Sequence, residues 1–254
     1  MSGDIDLARA LSFGASAEQY DRARPSYPAA LIDDLVSLRP RCVLDVGAGT
    51  GKAAELLLAR GLDVLAVEPD ARMAAVARRK GIAVEQSTFQ SWAPRGRRFD
   101  LITAGQSWHW MPQPGSARRA FQLVRESGHL AAFWNLDVLD DGVRTALEPV
   151  YRRLAPGLLD DNAFAQPPQL VVEKARHAEP LQAAGFEPVE LRTYAWSSRY
   201  STQEWIDGVA THSDHATLPE THRRTLLEAL ARAIEGAGGA ITCNFTTVLL
   251  LASH

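Results

Sequence analysis

The segment VLDVGAGTGK, residues 43–52, has the pattern of a buried strand that passes through a glycine-rich turn into a helix. Its apolar start is typical of a strand in a parallel sheet. Glycine at every second position of the turn (Gly47, Gly49 and Gly51) lets the backbone approach a bound molecule closely. Open α/β sheets bind ligands beyond the carboxyl ends of their strands. The turn is therefore the first candidate for a binding site.

Short apolar segments alternate with helical segments around this turn. The alternation predicts βαβ units and a parallel sheet. The predicted strands are 42–46, 62–67, 82–85, 99–104, 130–134, 186–194 and 241–251, and the clearest predicted helices are 29–38, 52–60, 70–80 and 117–124. Residues 137–182 and 202–236 are mostly helical in pattern, which suggests a helical cap on the sheet.

Two common phosphate-binding turns do not fit this segment. A triphosphate-binding P-loop needs glycine where Val46 stands and a hydroxyl where Ala53 stands. A dinucleotide-binding turn needs a third glycine at the position of Lys52. The carboxylate of Asp45, directly before the turn, would repel a pyrophosphate but would attract a ligand that carries an ammonium group.

A second carboxylate follows the next predicted strand. Glu68 ends that strand, at the place where an acidic residue can accept hydrogen bonds from both hydroxyls of a ribose. Because the carboxyl ends of parallel strands meet at one edge of the sheet, Asp45 and Glu68 are expected in the same crevice. Together they indicate a nucleoside that also carries an amino group.

At this point the chain resembles a known family, the class I S-adenosylmethionine-dependent methyltransferases. The segment VLDVGAGTGKAAELLLARGLDVLAVEPDARM carries most of the likeness. It extends to FGASAEQYDRARPSYP, FDLITAGQSWHWM, HLAAFWN and STQEWIDGVATHSDHATLP. Within the family, the chain is similar to the small-molecule branch of methyltransferase type 11 and trans-aconitate methyltransferase-like enzymes. The resemblance implies a doubly wound, Rossmann-like α/β fold with a seven-stranded sheet, an antiparallel last strand and a helical cap.

The resemblance also implies a division of the chain into four parts. Residues 1–40 would form an N-terminal cap segment over the cofactor, and 41–136 the cofactor-binding α/β core. Residues 137–185 would form a helical insertion. Residues 186–254 would supply the last two strands, with a second helical insertion at 200–238.

The resemblance further assigns the site residues. The expected contacts of S-adenosylmethionine are Tyr20, Arg24, Asp45, Gly47, Ala48, Gly49, Glu68, Pro69, Thr88, Phe89 and Gln106. His109 is expected to act as a general base or to contact the substrate, because its pKa lies near working pH. The expected substrate contacts are Trp108, Trp110, Trp134, Asn135 and Arg199.

The expected reaction is methyl transfer to an oxygen, nitrogen or sulfur of a small-molecule acceptor, including a carboxylate, with release of S-adenosylhomocysteine. Two alternatives remain open. One is a nucleotide-binding oxidoreductase on the same sheet topology, which the residue Lys52 disfavours. The other is a non-catalytic protein that binds the cofactor.

Composition narrows the partners and the location. The 254 residues carry a formal net charge of −3, which argues against a nucleic-acid partner because phosphate neutralisation needs a basic surface. No apolar run approaches the ~20 residues that span a bilayer. Two distant cysteines disfavour a zinc site, and we expect His212 and His215 to form a surface pair without a metal. A cytoplasmic protein, monomeric or homodimeric, is predicted.

Overall fold

The computed structural model describes residues 17–159 and 167–254 of the chain. Its strands form a single seven-stranded sheet in the order β3-β2-β1-β4-β5-β7-β6. The strands are β1 (Cys42–Val46), β2 (Asp63–Glu68), β3 (Ala83–Gln86), β4 (Phe99–Gly105), β5 (Val124–Leu139), β6 (Val189–Ser201) and β7 (Ala240–Ser253). The strands β1 to β5 pair in parallel, and β7 lies antiparallel between β5 and β6. The predicted fold, with its antiparallel last strand, is confirmed.

Helices flank the sheet and extend beyond one end of it. They are α1 (Ala17–Ala23), α2 (Ala29–Ser37), α3 (Lys52–Leu58), α4 (Ala71–Arg79), α5 (Gly115–Leu123), α6 (Asp141–Leu154), α7 (Pro167–Ala175), α8 (Ala178–Ala184), α9 (Thr202–Ala210), α10 (Ser213–Ala216) and α11 (Glu220–Gly236). Among the described residues, no helix combines the length and the apolar character that a membrane span requires. The predicted cap segment 1–40 and insertion 137–185 lie partly outside the described residues, and the four-part division stays a prediction.

Two strands are longer than their sequence patterns predict. Strand β5 continues past the apolar run to Leu139, and β6 continues to Ser201. Both extensions pair with β7, in which Cys243 lies between Leu139 and Ser198. Polar residues such as Asp137 break the apolar pattern, but hydrogen bonds to an antiparallel partner continue the strand regardless of side-chain polarity.

Local chemistry explains how the first two βα turns are built. Asp70 caps α4 by accepting hydrogen bonds from the backbone N–H groups of Arg72 (2.8 Å) and Met73 (3.3 Å). Gly51 precedes α3 with a φ of 81°. A Cβ at this position would collide with the buried Ile82 side chain. Gly51 is therefore required by the packing of the turn against α4 and β3.

The buried apolar residues form separate clusters on the two sheet faces and in the cap. One face holds Trp108 and Trp134, and the other packs α2 and α3 against β1. The cap cluster joins α6, α9 and α11 to the far ends of β5 and β7, with Leu147 and Leu230 fully buried. This third cluster holds a layer of helices above the carboxyl ends of the parallel strands.

Candidate functional site

Two cavities meet where the parallel strands end. The first, here the turn cavity, encloses about 290 Å³ above the glycine turn. The second, the cap cavity, encloses about 380 Å³ between the cap helices and the extended ends of β5 and β7. Arg24, Pro25, Gln106 and Asn135 line both cavities, so the two spaces share one wall.

The structure brings all of the predicted cofactor contacts to the turn cavity. They are Tyr20, Arg24, Asp45, Gly47, Ala48, Gly49, Glu68, Pro69, Thr88, Phe89 and Gln106. His109, Trp110 and Asn135 line the same cavity. Sequence reasoning missed other lining residues, among them Tyr27 and Lys52. Tyr27 stands in the proline-rich segment after α1, and no local pattern distinguishes its side chain from that of a packing aromatic.

Glu68 is held in one orientation by backbone groups. Its Oε2 accepts from the N–H of Gly49 at 2.7 Å, and its Oε1 accepts from the N–H of Asp70 at 2.8 Å. A carboxylate offers about four acceptor sites, so two remain available for hydroxyl donors in the cavity. Burial raises the pKa of Glu68 to about 6, against the effect of these two N–H groups.

Asp45 lies at the floor of the turn cavity. Its side chain is almost fully buried and accepts a hydrogen bond from the Thr103 hydroxyl at 2.8 Å. Burial raises the pKa of Asp45 to about 7, and the charge of Glu68 raises it further. Two carboxylates whose ionised forms are disfavoured in this way would be stabilised by a bound cation. These two acceptors thus fit a ligand that combines a positively charged group with a ribose diol.

The described part of the N-terminal segment lines the turn cavity through Tyr20, Arg24, Pro25 and Tyr27. The guanidinium of Arg24 lies 5.3 Å from the centre of the Tyr20 ring and donates to the hydroxyl (2.9 Å) and the carbonyl oxygen (3.1 Å) of Thr211. These bonds tie the end of α1 to the end of α9. Gly49 faces the space beneath this cover, since a Cβ there would meet nothing within 4 Å.

Gln106 stands at the shared wall in a left-handed conformation with a φ of 55°. Its N–H donates to the carbonyl oxygen of Phe133 (2.8 Å), and its side-chain amide donates to the carbonyl oxygen of Asn135 (3.2 Å). Such a backbone costs about 1–3 kcal/mol in a non-glycine residue and is concentrated at functional sites. The neighbouring strand holds this strained residue between the two cavities.

His109 is hydrogen-bonded on one side by an indole. The Nε1–H of Trp134 donates to Nδ1 of His109 at 3.0 Å. Burial, together with the positive charges of Lys174 and His177, lowers the pKa of His109 to about 4. The ring is thus neutral and a weak base. Of its two predicted roles, the geometry supports contact with a ligand and disfavours proton abstraction.

Three predicted substrate contacts lie elsewhere. Trp108 is 0% exposed and Trp134 is 1% exposed, and both belong to the sheet core rather than to a cavity wall. Arg199 is exposed on the edge strand β6 and lines neither cavity. The period-2 alternation of β6 turns Tyr200, instead of Arg199, towards the cap cavity. Only Trp110 and Asn135 of this set reach a cavity.

The cap cavity contains a chain of three polar side chains that the sequence did not reveal. The Tyr151 hydroxyl lies 2.9 Å from Nε2 of His215, and Nδ1 of His215 lies 2.8 Å from Oδ1 of Asp214. His215 is 5% exposed, so the expectation of a surface pair with His212 is wrong. His215 is buried where α10 meets Tyr151 of α6.

Comparison with known proteins gives the family. A profile of the methyltransferase domain matches residues 20–191. An uncharacterized methyltransferase of Mycobacterium tuberculosis is 32% identical over 224 residues, which cover 86% of this chain and 83% of that protein. The match favours the methyltransferase prediction over a dinucleotide-dependent oxidoreductase.

Solved structures show the same fold. A protein described as a putative type II methyltransferase from Anaeromyxobacter dehalogenans has a TM-score of 0.64 at 23% identity, covering 91% of this chain and 97% of that one. Phosphoethanolamine N-methyltransferase 2 of Haemonchus contortus, in complex with S-adenosyl-L-methionine, has a TM-score of 0.51 at 14% identity, covering 94% of this chain and 57% of that one. Together with the methyltransferase-domain profile and the Mycobacterium tuberculosis relative, this fold shows that the chain belongs to the class I S-adenosylmethionine-dependent methyltransferases.

Proposed function

We propose that this protein transfers the methyl group of S-adenosylmethionine to a heteroatom of a small molecule seated in the cap cavity. The observation that carries the proposal is the shared wall of the two cavities, formed by Arg24, Pro25, Gln106 and Asn135. A cofactor above the glycine turn and an acceptor under the cap would meet across this wall. The cap cavity has the volume of a small-molecule site, which is typically ~300–1,000 Å³.

The residues of the turn cavity would hold the cofactor by its polar groups. Glu68 would accept from the ribose hydroxyls through its two remaining acceptor sites, while Gly49 lets the methionine part pass close to the backbone. Asp45 would face the ammonium from the floor of the cavity. The absence of an acidic side chain at residues 87–90 favours recognition of adenine by the backbone or by hydroxyls such as that of Thr88.

When bound, S-adenosylmethionine supplies a methyl carbon attached to a sulfonium, whose thioether is already a good leaving group. The protein's share of the catalysis is then alignment of the acceptor and exclusion of water. Alignment of this kind can supply roughly 7–11 kcal/mol of the barrier. The cover made by Tyr20 and Arg24, tied to the cap through Thr211, would exclude water.

The composition supports the remaining parts of the proposal. With a net charge of −3, the protein would act on small molecules rather than nucleic acids. The sequence also predicts that the protein is cytoplasmic and is a monomer or a homodimer. Its resemblance to the trans-aconitate methyltransferase-like branch stays a prediction as well.

Calorimetry and a methyl-transfer assay test the proposal together. We expect S-adenosylhomocysteine to bind with one site per chain, and NAD not to compete with it. We expect labelled methyl groups to pass from the cofactor to at least one member of a panel of phenols, amines, thiols and carboxylic acids. Cofactor binding without any transfer would favour the non-catalytic alternative, and binding of NAD in its place would revive the oxidoreductase.

A further inference from the structure

We infer that Tyr151, His215 and Asp214 form a proton relay that serves an acceptor with an acidic O–H group, of the phenol class. The inference rests on the proposed methyl transfer and specifies its acceptor. All three residues line the cap cavity. The Tyr151 hydroxyl and the two ring nitrogens of His215 are joined in series to Asp214 by contacts of 2.9 Å and 2.8 Å.

The direction of the hydrogen bonds follows from their chemistry. Hydrogen bonds from His215 keep the pKa of Asp214 well below its usual value despite burial, so this carboxylate only accepts. Nδ1 of His215 must then donate, and in the form of the ring that can take up a proton, Nε2 accepts. The Tyr151 hydroxyl is therefore the donor to Nε2. A hydroxyl oxygen has two lone pairs, and towards any partner in the cavity it can only accept.

The direction of these hydrogen bonds restricts which molecule can receive the methyl group. A ligand beside Tyr151 must present an O–H or N–H donor, which an ionised carboxylate lacks. Charged side chains of both signs line the cavity, among them Arg24, Arg144 and Glu204, so the donor requirement at Tyr151, and not a net charge, distinguishes the ligands. Aromatic side chains of Tyr200, Trp205 and Phe245 line the same space and offer flat apolar faces to a ring. A phenolic hydroxyl also matches Tyr151 in intrinsic acidity, so proton transfer between the two groups would be nearly balanced.

Burial and the carboxylates of Asp214 and Asp137 hold the pKa of Tyr151 well above its usual value. The tyrosine therefore does not store a negative charge, and a proton would pass through it. As the acceptor oxygen forms its bond to the methyl carbon, the methyl–sulfur electron pair leaves with the sulfur. The acceptor's proton moves to the Tyr151 oxygen while the Tyr151 proton moves to Nε2 of His215. The resulting imidazolium is paired with Asp214, so charge and protons balance.

Each member then has a distinct role. Tyr151 touches the acceptor and is the catalytic residue. His215 takes the proton through Tyr151, and Asp214 is a positioning residue that fixes the tautomer of His215 and stabilises its charged form. The other charged and titratable groups that line the cap cavity include His212, whose pKa burial and the Arg24 guanidinium lower. They also include Asp137, Asp141, Arg144 and Glu204.

Substituted phenols provide the test. We would assay 4-methylphenol, which is protonated near neutral pH, 4-nitrophenol, which is largely ionised at mildly alkaline pH, and benzoate, with the wild type and with the Tyr151→Phe, His215→Gln and Asp214→Asn variants. Tyr194→Phe, which removes a hydroxyl bonded to Asp34 outside both cavities, is the matched control. We expect each relay variant to lower kcat/KM at least 100-fold for 4-methylphenol and less than tenfold for 4-nitrophenol. We expect the control to stay within twofold of the wild type.

A second readout does not depend on turnover. In the complex with S-adenosylhomocysteine, we expect bound 4-nitrophenol to show more nitrophenolate absorbance than free 4-nitrophenol at the same pH, and Tyr151→Phe to abolish the difference. Equal losses for both phenols, no absorbance difference, methylation of benzoate alone, or no methylation of any phenol would each overturn the relay. If S-adenosylhomocysteine fails to bind the wild type, the proposed function itself fails. Unchanged cofactor affinity in the variants shows that they fold.

Discussion

The indole N–H of Trp134 donates a hydrogen bond to Nδ1 of His109, although 25 residues separate the two in the chain. An indole N–H can only donate, so Nδ1 must accept and the proton of the neutral imidazole lies on Nε2. His109 thus offers a donor, rather than a basic lone pair, to the turn cavity. The further packing of Trp134 against His177, with ring centres 5.2 Å apart, holds this orientation.

The first prediction distinguishes a donor from a base at His109. His109→Gln keeps an amide N–H at a position similar to Nε2, whereas His109→Ala removes it. We expect His109→Ala to lower kcat about tenfold, the effect of losing one hydrogen bond of roughly 1.4 kcal/mol, and to change the cofactor Kd less. His109→Gln should stay within threefold of the wild type. Steady-state kinetics measures kcat for both variants. Equal losses of kcat in His109→Ala and His109→Gln would contradict the role of His109 as a hydrogen-bond donor.

The second prediction concerns the ribose contact. Glu68→Ala should weaken the binding of S-adenosylhomocysteine by about 1.5–3 kcal/mol, because charge-assisted hydrogen bonds are lost. Glu190→Ala removes a carboxylate that pairs with Arg192 on β6, far from the turn cavity, and serves as the control. Titration calorimetry on both variants gives the comparison. If the dissociation constant of S-adenosylhomocysteine is unchanged in Glu68→Ala, Glu68 does not contact the ribose.

The third prediction separates two glycines of the turn. In Gly51→Ala the new Cβ would collide with the buried Ile82, so we expect a loss of about 1–3 kcal/mol in the free energy of unfolding. In Gly49→Ala the Cβ would enter open space in the turn cavity, where the positive φ alone costs about 1 kcal/mol. We expect Gly49→Ala to weaken cofactor binding more than tenfold. Denaturant unfolding measures the stability of the two variants, and calorimetry measures their cofactor binding. A larger loss of stability in Gly49→Ala than in Gly51→Ala would contradict the prediction.

The fourth prediction follows from the two carboxylates beneath the cofactor. The pKa values of Asp45 (about 7) and Glu68 (about 6) lie above the ordinary range, chiefly because both groups are buried. A raised carboxyl pKa means that the folded protein binds protons more tightly than the unfolded chain does. Their contribution to stability is therefore present below the unfolded pKa of about 4 and is lost as pH rises through 6 and 7. Without ligand, the protein should become less stable between pH 5 and pH 7.5.

Ligand binding should show the opposite trend, because the ionised carboxylates interact best with the ammonium group and the ribose hydroxyls of the ligand. We expect the affinity for S-adenosylhomocysteine to rise by up to about tenfold per pH unit between pH 5.5 and pH 7, and then to level off. Calorimetry at several pH values measures the trend. Asp45→Asn, which keeps an acceptor for the Thr103 hydroxyl, should remove the part of the trend near pH 7 and leave the part near pH 6 that Glu68 causes. A pH-independent dissociation constant in the wild type would contradict the proposed charge coupling.

Part of the site could be predicted because its signals are local. A buried strand, a glycine turn and a helix follow one another within ten residues, and Asp45 and Glu68 stand where two such units end. Parallel pairing then brings the strand ends together without further information.

Other predictions failed where side-chain direction or partner strands decide the outcome. Trp108 follows β4 like its neighbours Trp110 and His109, yet the short helical turn at Trp108–Trp110 directs it into the core while the other two reach the turn cavity. Arg199 stands one residue from Tyr200, and the register of β6 against β7 decides which of the two faces the cap cavity. Neither choice is visible in the local pattern.

The residue pattern by itself determined the parallel sheet and placed Asp45 and Glu68 at one edge of it, because these depend on periodicity and on contacts between neighbouring βα units. The antiparallel last strand was predicted from the family resemblance. The cap cavity, the proposed acceptor site, was revealed only by the tertiary structure. Tyr151 and His215 lie 64 residues apart and meet because the cap helices pack into one apolar cluster above the strand ends. Such a meeting depends on how whole helices fill a shared core, and this packing leaves no short-range trace in the chain.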